Sequence, residues 1–243
     1  MQCVILAGGL GTRMLPLTRT MPKTLIPVLG RPFADWQLAW LARQGVRRVV
    51  YCLGYLADAV RAHVGDGSAR GFERVDYVED GDRPLGTGGA LRQAMDAGAL
   101  EESFLVLYGD SYLPVEVAPL WRAAGEGQLP TMAVLRNEGC WDGSNVVLRD
   151  GRVVRYEKGR ADAAAIGMNH IDYGISVLQR RLVAERLPPA TPQDLGLLYS
   201  ALADEGRLRG FEVDRRFYEI GSPAGLRDLE AFLGAGEPAE GAP

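Results

Sequence analysis

Apolar and polar positions follow two different rhythms along the chain, and the change comes near residue 130. In the first part, short apolar runs that suit buried strands alternate with stretches whose apolar residues recur at helical spacing. Strands are predicted at residues 3–6, 48–53, 75–78 and 104–107, and helices at 32–44, 56–64 and 90–97. This alternation is typical of βαβ units, which build a mostly parallel sheet with helices on its faces.

The second part is predicted to be richer in antiparallel pairing, because Asp150-Gly151 separates two apolar runs and is a strong hairpin signal. Further strands are predicted at residues 132–135, 145–148, 171–178 and 208–212, and helices at 178–186, 194–205 and 223–233. The expected fold class is α/β: one domain over residues 1–233, a three-layer α/β/α Rossmann-like arrangement whose mostly parallel sheet carries an added antiparallel portion and a small helical lobe. Residues 234–243 are expected to be a disordered tail.

The composition indicates a globular protein and limits the partners that it is expected to bind. Apolar residues make up 47% and charged residues 24% of the 243 positions, as in a globular domain. The formal net charge of −4 predicts no bulk attraction to nucleic acid or to an anionic membrane, and no apolar run approaches the ~18 residues of a membrane span. Three widely separated cysteines and two histidines predict neither a disulfide framework nor a histidine zinc site. We expect a cytoplasmic protein; whether it forms a homo-oligomer is left open.

The richest chemical signal is the glycine loop, Gly8-Gly9-Leu10-Gly11, which directly follows the first predicted strand. Three glycines in four positions let the main chain turn tightly and bring its N–H donors close to an anion. Arg13 adds a rigid cationic fork that suits phosphate oxygens, and Lys23 adds a second positive charge. The loop therefore indicates a polyphosphate site; the alternative is an ordinary turn with solvated charges.

Two familiar phosphate-binding motifs do not fit this loop. The dinucleotide pattern GxGxxG, begun at Gly9, requires glycine where Met14 stands. The Walker pattern GxxxxGK[ST], begun at Gly8, requires glycine where Arg13 stands. A nicotinamide oxidoreductase and a P-loop ATPase are therefore both disfavoured.

The segment LAGGLGTR, followed by Pro16, Thr18 and Pro22-Lys23, resembles the signature of the sugar-1-phosphate nucleotidyltransferases. The resemblance implies an enzyme that joins a nucleoside triphosphate to a sugar 1-phosphate, releases pyrophosphate and depends on Mg²⁺. It implies catalytic roles for Arg13, Lys23 and Lys158. Nucleotide contacts are implied for Leu6, Ala7, Gly8, Gly9, Gly11, Thr12, Arg13, Gly86, Thr87 and Gly88.

The resemblance implies that two carboxylates hold the metal ion, although a lone Asp after a strand is more often a turn former. Asp110 follows the predicted strand at 104–107, and ligands gather at the carboxyl ends of parallel strands. Glu219 lies in Tyr218-Glu219-Ile220-Gly221-Ser222-Pro223, which resembles the family's Asp-Ile-Gly-x-Pro, whose Asp is commonly the second metal ligand. The glutamate is one methylene longer, and Mg²⁺ demands near-ideal geometry, so the longer side chain is expected either to shift the metal or to reach it through water.

The resemblance also implies a sugar site, to which Gly109 is assigned. Glu157 matches a glutamate that contacts sugar hydroxyls, and Lys158 matches a lysine that contacts the sugar phosphate. The family's Asn-x-Gly-Ile-Tyr stretch is displaced here, so that Asp172 and Tyr173 fill its place. Which of these two side chains faces the sugar is left open.

Residues 85–90 and 109–112 look most like the heptose-1-phosphate and mannose-1-phosphate guanylyltransferases, although uridylyl-, thymidylyl- and cytidylyltransferases share most of these residues. The competing hypothesis is a non-catalytic, nucleotide-sensing regulator, which would usually have lost the arginine, a lysine or a metal carboxylate. Arg13, Lys23, Asp110 and Lys158 are all retained, which favours an enzyme.

Overall fold

The computed structural model describes residues 1–81 and 83–236 of the chain. Its strands are β1 (Gln2–Ala7), β2 (Pro27–Val28), β3 (Arg31–Pro32), β4 (Arg48–Leu53), β5 (Arg74–Glu79), β6 (Ser103–Tyr108), β7 (Ser111–Tyr112), β8 (Thr131–Arg136), β9 (Val146–Arg149), β10 (Arg152–Tyr156), β11 (His170–Gln179), β12 (Arg209–Val213) and β13 (Tyr218–Glu219). Its α-helices are α1 (Phe33–Arg43), α2 (Ala57–Val64), α3 (Gly86–Asp96), α4 (Val117–Ala123), α5 (Arg180–Arg186), α6 (Leu195–Asp204) and α7 (Pro223–Gly234). The α/β fold class is confirmed.

Over these residues, one nine-stranded sheet runs through both parts of the chain in the order β5-β4-β1-β6-β11-β8-β12-β10-β9. The strands from the first part pair in parallel, whereas β11 pairs antiparallel with β6 and with β8, and β10 pairs antiparallel with β12 and β9. The parallel sheet with an added antiparallel portion is therefore observed as expected. The single domain over residues 1–233 stays a prediction, which the continuity of the sheet supports.

Helices cover the sheet on both faces, which explains why its central strands are apolar without alternation. In β1, Cys3 and Ile5 pack into the core formed with α1, α2, α4 and α7, while Val4 and Leu6 pack into the core formed with α3, α5 and α6. The predicted helical lobe corresponds to α5 and α6, which share a layer with α3. These two cores fix the ends of the strands from which the candidate site is built.

The hairpin signal at Asp150-Gly151 is confirmed. Both residues adopt the left-handed region, with φ of 47° and 70°, and Arg149 pairs with Arg152 across the turn. A two-residue loop needs positive φ at both central positions to match the right-handed twist of its strands, and Asp-Gly supplies it.

Some boundaries differ from the prediction. Helix α3 begins at Gly86, before the predicted start at residue 90, and α4 was not predicted. Gly234, assigned to the disordered tail, ends helix α7; residues 237–243 of that tail lie outside the described residues. Within the described residues, no helix combines the length and the apolar character needed to cross a bilayer.

Candidate active site

The glycine loop, the carboxyl ends of β1, β5 and β6, and the first turn of α3 enclose a cavity of about 330 Å³. This is where an open α/β sheet usually binds its ligand. The cavity is lined by Leu6, Ala7, Gly8, Gly9, Leu10, Lys23, Thr24, Asp80, Pro84, Gly86, Thr87, Ala90, Tyr108, Gly109 and Asp110. Most of the residues predicted to contact a nucleotide are thus brought to one place.

A larger groove of about 790 Å³ lies elsewhere, between the C-terminal end of α1 and the ends of β8 and β12. It is lined by Trp40, Arg43, Phe211 and Arg215 among others, and none of the predicted site residues lines it. Size alone would select this groove, but the smaller cavity holds the convergent polar groups that mark a ligand site.

Close backbone contacts explain the glycines at the bottom of the cavity. The Gly109 N–H donates to the Leu6 carbonyl at 2.9 Å, and a Cβ at Gly109 would lie 2.7 Å from the Cβ of Ala7. The predicted sugar residue Gly109 is therefore required by the pairing of the ends of β1 and β6. On the other side of the loop, a Cβ at Gly54 would lie 2.6 Å from the Gly8 carbonyl oxygen.

The turn at Gly11 is held by a side chain from the same motif. Gly11 adopts a left-handed conformation with φ of 63°, and Thr18 donates its hydroxyl to the Gly11 carbonyl at 2.9 Å. A Cβ at Gly11 would lie 2.8 Å from Cγ2 of Thr18. Gly11 and Thr12 do not line the cavity itself; they shape the turn that carries Arg13.

Lys23 and Asp110 form an ion pair at the edge of the cavity, with 2.8 Å between the Lys23 Nζ and the Asp110 Oδ2. Both side chains are partly buried, so the pair is more than a solvated surface contact. A positively charged side chain and a carboxylate of the kind that can bind a metal ion therefore lie together beside the glycine loop.

The short ladder between β7 and β13 brings the second carboxylate to the same place. Glu219 pairs with Ser111, and the Ile220 N–H donates to the Asp110 carbonyl at 3.0 Å. A Cβ built on Gly221 would lie 2.8 Å from Nη2 of Arg13 and 3.3 Å from Oδ2 of Asp110, and it would overlap Oε2 of Glu219. Arg13, Asp110 and Glu219 therefore converge on one point.

This pair of carboxylates fits a magnesium ion. Among the described residues, no group of three or more histidine, cysteine or acidic side chains forms a complete metal cluster. Mg²⁺ commonly takes one or two carboxylates and fills its remaining positions with phosphate oxygens and water. Asp110 and Glu219 are thus suited to a metal that arrives with its nucleotide.

The glycines of the second glycine-rich stretch, Gly86 and Gly88, allow close packing against Gln193 of the same chain. The Gly88 N–H donates to the Gln193 carbonyl at 2.9 Å, and a Cβ at Gly86 would lie 2.5 Å from that carbonyl oxygen. Thr87 Oγ1 accepts from the Leu195 N–H at 2.8 Å. Gly86 and Thr87 line the cavity but Gly88 does not, so the predicted nucleotide contact of Gly88 gains no support.

A second polar cluster lies around Asp172, next to the cavity beside the glycine loop. Asp172 Oδ2 accepts from the hydroxyls of Tyr156 at 3.3 Å and Tyr108 at 3.5 Å, and Oδ1 accepts from the Gly174 N–H at 3.0 Å. The ammonium of Lys158 lies 5.7 Å from the centre of the Tyr108 ring. Because Tyr108 also lines the cavity, the two clusters adjoin. Burial raises the pKa of Asp172.

Of the two candidates for the sugar, Asp172 belongs to this cluster and Tyr173 does not. Tyr173 is 1% exposed and packs edge-on against Phe217 in the core on the opposite face of the sheet. Tyr173 is therefore not placed for a sugar contact. Successive strand residues face opposite sides, so they could not both point to the sugar.

Glu157 is partly exposed, and its carboxylate is paired with two arginines. Its Oε2 lies 3.0 Å from Arg160 and 3.1 Å from Arg155, and the hydrogen bond from Arg160 is the main cause of the lowered pKa of Glu157. The structure therefore does not bring the Glu157 carboxylate into the Asp172 cluster. Lys158, the next residue, does reach it and lies 3.6 Å from Asp194.

Asp80 is not among the site residues predicted from the sequence. It follows β5, lines the cavity, and accepts from the Leu85 N–H at 3.1 Å, and burial raises its pKa. The same rule that selected Asp110, a carboxylate just past the end of a predicted strand, would have found it. Tyr108, at the end of β6, was missed for lack of any motif.

Comparison with known proteins identifies the family. The sequence profile described as "Nucleotidyl transferase" matches residues 2–136, more than half of the chain. The chain belongs to the nucleotidyl transferase family. Mannose-1-phosphate guanylyltransferase of Mycobacterium tuberculosis is 37% identical to this nucleotidyl transferase over 118 residues, which cover 48% of this chain and 32% of that protein. The chain spans 32%, 56% and 52% of three curated relatives that it matches.

Other similarities to this nucleotidyl transferase extend over nearly the whole chain. D-glycero-alpha-D-manno-heptose 1-phosphate guanylyltransferase of Aneurinibacillus thermoaerophilus is 26% identical, over 96% of this chain and 98% of that protein. The crystal structure of HddC from Yersinia pseudotuberculosis complexed with GMP-PN has a TM-score of 0.77 and 27% identity, over 96% of this chain and 99% of that chain. The resemblance seen in the glycine loop is confirmed.

Proposed function

We propose that this chain is a sugar-1-phosphate nucleotidyltransferase that converts a nucleoside triphosphate and a sugar 1-phosphate into a nucleoside diphosphate sugar and pyrophosphate. The observation that carries the proposal is the convergence of Arg13, Asp110 and Glu219 beside a cavity walled by the glycine loop. Relatives whose names state this type of reaction support it. We place the reaction in the cytoplasm, in line with three free cysteines.

The reaction requires the site to bring two anions together, the sugar 1-phosphate and the nucleoside triphosphate. A phosphate oxygen of the sugar 1-phosphate attacks the α-phosphorus, a new P–O bond forms, and the bond to the β-phosphate oxygen breaks as pyrophosphate leaves. The attacking phosphate is already anionic, so no general base or covalent intermediate is required. Rate enhancement rests on positioning and on neutralising charge.

The chain's own residues divide this task by location. The N–H groups of Gly8–Gly11 and the guanidinium of Arg13 hold the triphosphate and the departing pyrophosphate. Lys23 lies beside the α-phosphate, and Lys158 guides the phosphate of the acceptor. Asp110 and Glu219 are the residues that would hold Mg²⁺, which when bound supplies positive charge shared among the phosphate oxygens.

Lys23 has a partner in the free protein that the ligands would replace. Its ammonium is paired with Asp110 at 2.8 Å. The ion pair keeps both groups oriented in the free protein, and Lys23 would be released to a phosphate oxygen if Asp110 were to hold Mg²⁺.

We further propose that the nucleotide is GTP, because Asp80 offers an acceptor-only carboxylate inside the cavity. Guanine presents two adjacent donors, N1–H and the N2 amino group, which a carboxylate can accept together. Burial raises the pKa of Asp80 although its Oδ2 accepts from the Leu85 N–H at 3.1 Å, and the further donors of such a base would stabilise the charged form. The GMP-PN bound to the similar HddC structure supports a guanine nucleotide.

The acceptor is proposed to bind over Tyr108, where Lys158 and Asp172 lie next to the nucleotide cavity. The ammonium suits the phosphate, and the carboxylate suits hydroxyl groups of the sugar. A heptose or mannose 1-phosphate is proposed, on the names of the relatives.

The test is a pyrophosphate-release assay over a panel of nucleoside triphosphates and sugar 1-phosphates, with and without Mg²⁺. We expect turnover with GTP, and we expect Asp80→Asn to weaken the preference for GTP about 10- to 100-fold, the value of a hydrogen bond to a charged group. Glu79→Gln is the matched control, because the adjacent Glu79 is exposed and pairs with Arg61. Nucleotide binding without pyrophosphate release from any pair would instead favour the nucleotide-sensing regulator.

A further inference from the structure

The carboxylate of Glu219 is held by the beginning of helix α7. Its Oε2 accepts from the Gly221 N–H, and its Oε1 accepts from the Ser222 hydroxyl at 2.6 Å. The same Ser222 oxygen accepts from the Gly225 N–H at 3.0 Å, and Ser222 is the N-cap of α7. One hydroxyl therefore serves the helix and the carboxylate together.

The direction of these bonds follows from the chemistry of a hydroxyl. A serine hydroxyl has one proton to donate and lone pairs with which to accept. Because the Gly225 N–H is a donor, the Ser222 oxygen must accept from it, and the single proton is left for Glu219. The helix cap thus sets the rotamer in which Ser222 donates to the carboxylate.

Gly225 supplies the space that the longer side chain needs. A Cβ at position 225 would overlap Oε1 of Glu219 and would lie 2.5 Å from its carbonyl oxygen. The carboxylate end of Glu219 therefore occupies this gap, with its Cδ 2.7 Å from the Cβ position of Gly225. The other carboxylate oxygen, Oε2, consequently stays on the side where Arg13 and Asp110 converge at Gly221.

We propose that Ser222 is a positioning residue, which together with the gap at Gly225 fixes the carboxylate of Glu219 for binding a divalent ion opposite Asp110. A glutamate at this position can then do the work that the family's shorter aspartate does. The inference rests on the proposed function in one respect, the role of Glu219 as a metal-binding residue. Partners that orient a ligating carboxylate typically change metal affinity 10- to 100-fold when removed.

The decisive variant is Ser222→Gly, because glycine still serves as an N-cap but has no hydroxyl to donate. We expect Mn²⁺ to bind about 10-fold more weakly than to the wild type, measured by electron paramagnetic resonance with the full chain saturated with a non-hydrolysable GTP analogue. Ser222→Thr should restore the affinity, because it restores the hydroxyl. Ser68→Gly is the matched control, since the Ser68 hydroxyl donates to Asp66 far from the site.

A second pair of variants tests the gap at Gly225 within the same helix. Gly225→Ala should weaken Mn²⁺ binding, whereas Gly234→Ala should not, because a Cβ there approaches no closer than 4.0 Å to Leu29. Urea unfolding of both variants shows whether they are folded, and the metal affinity of a folded Gly225→Ala decides the point.

Three failures are distinguishable. If Glu219→Gln weakens Mn²⁺ binding but Ser222→Gly and a folded Gly225→Ala do not, the positioning role is overturned and the proposed function stands. If Glu219→Gln itself leaves the Mn²⁺ affinity unchanged, the metal role assigned to Glu219 is wrong and the positioning role is wrong with it. Absence of pyrophosphate release by the wild type, in contrast, overturns the proposed function.

Discussion

Arg13→Ala is the substitution that separates catalysis from folding most clearly. Arg13 is exposed on the turn Thr12–Met14, and its guanidinium lies beside Gly221. Within the described residues its side chain takes part in no ion pair. Its removal should therefore change the free energy of unfolding by no more than about 0.5 kcal/mol, as for other surface substitutions.

The same removal should be severe for turnover, because we propose that the guanidinium holds the departing pyrophosphate, on which negative charge develops. Loss of one preorganised donor of this kind lowers kcat about 10²- to 10³-fold, or about 2.7–4 kcal/mol of transition-state stabilisation. Arg13→Lys keeps the charge but not the two-pronged fork, so we expect a loss between those of alanine and the wild type.

The assay is pyrophosphate release at saturating substrates, with urea unfolding run on the same preparations. Arg19→Ala is the control: it removes an equal charge from the same exposed segment, where Arg19 offers its carbonyl to Tyr55. Arg13→Ala with a turnover close to that of Arg19→Ala would refute the assignment of Arg13 to the phosphates. A large drop in the stability of Arg13→Ala would refute the claim that its role is chemical.

Three further results are expected. Lys158→Ala should raise KM for the sugar 1-phosphate about 10- to 100-fold in initial-rate kinetics and leave KM for GTP unchanged. Asp80→Asn should be at least as stable as the wild type at pH 7, because burial raises the folded pKa of Asp80; the gain should vanish in urea titrations below the ordinary carboxyl pKa of about 3.9. Gly109→Ala should cost about 1–3 kcal/mol in the same titrations, because its Cβ would lie 2.7 Å from that of Ala7, whereas Gly9→Ala meets nothing within 4 Å and should cost far less.

The main sheet could be predicted because its signals are local. A run such as Val49–Leu53 is buried on both faces, and Asp150-Gly151 encodes a specific turn in two residues. The family resemblance was also visible in the sequence, because the glycines of the loop, Arg13 and Lys23 lie within one short segment; the phosphate contacts of this loop stay a prediction.

What could not be predicted depends on contacts between distant parts of the chain. Gly86 and Gly88 face Gln193, more than a hundred residues later, so the local sequence does not show the contact that requires glycine at these positions. The ladder β7–β13 has two residues in each strand, too few to show any period, yet it brings Glu219 to Asp110. In β11 the register shifts between Asp172 and Ser176. The sequence therefore could not show which of Asp172 and Tyr173 faces the proposed sugar site.

A crystal structure of the protein with Mg²⁺ and a non-hydrolysable GTP analogue would show directly where the phosphates bind. We expect the triphosphate against the N–H groups of Gly8–Gly11, with Arg13 on its terminal phosphates and the metal held by Asp110 and Glu219. Phosphates bound elsewhere, for example in the larger groove beside Trp40 and Arg215, would contradict this expectation.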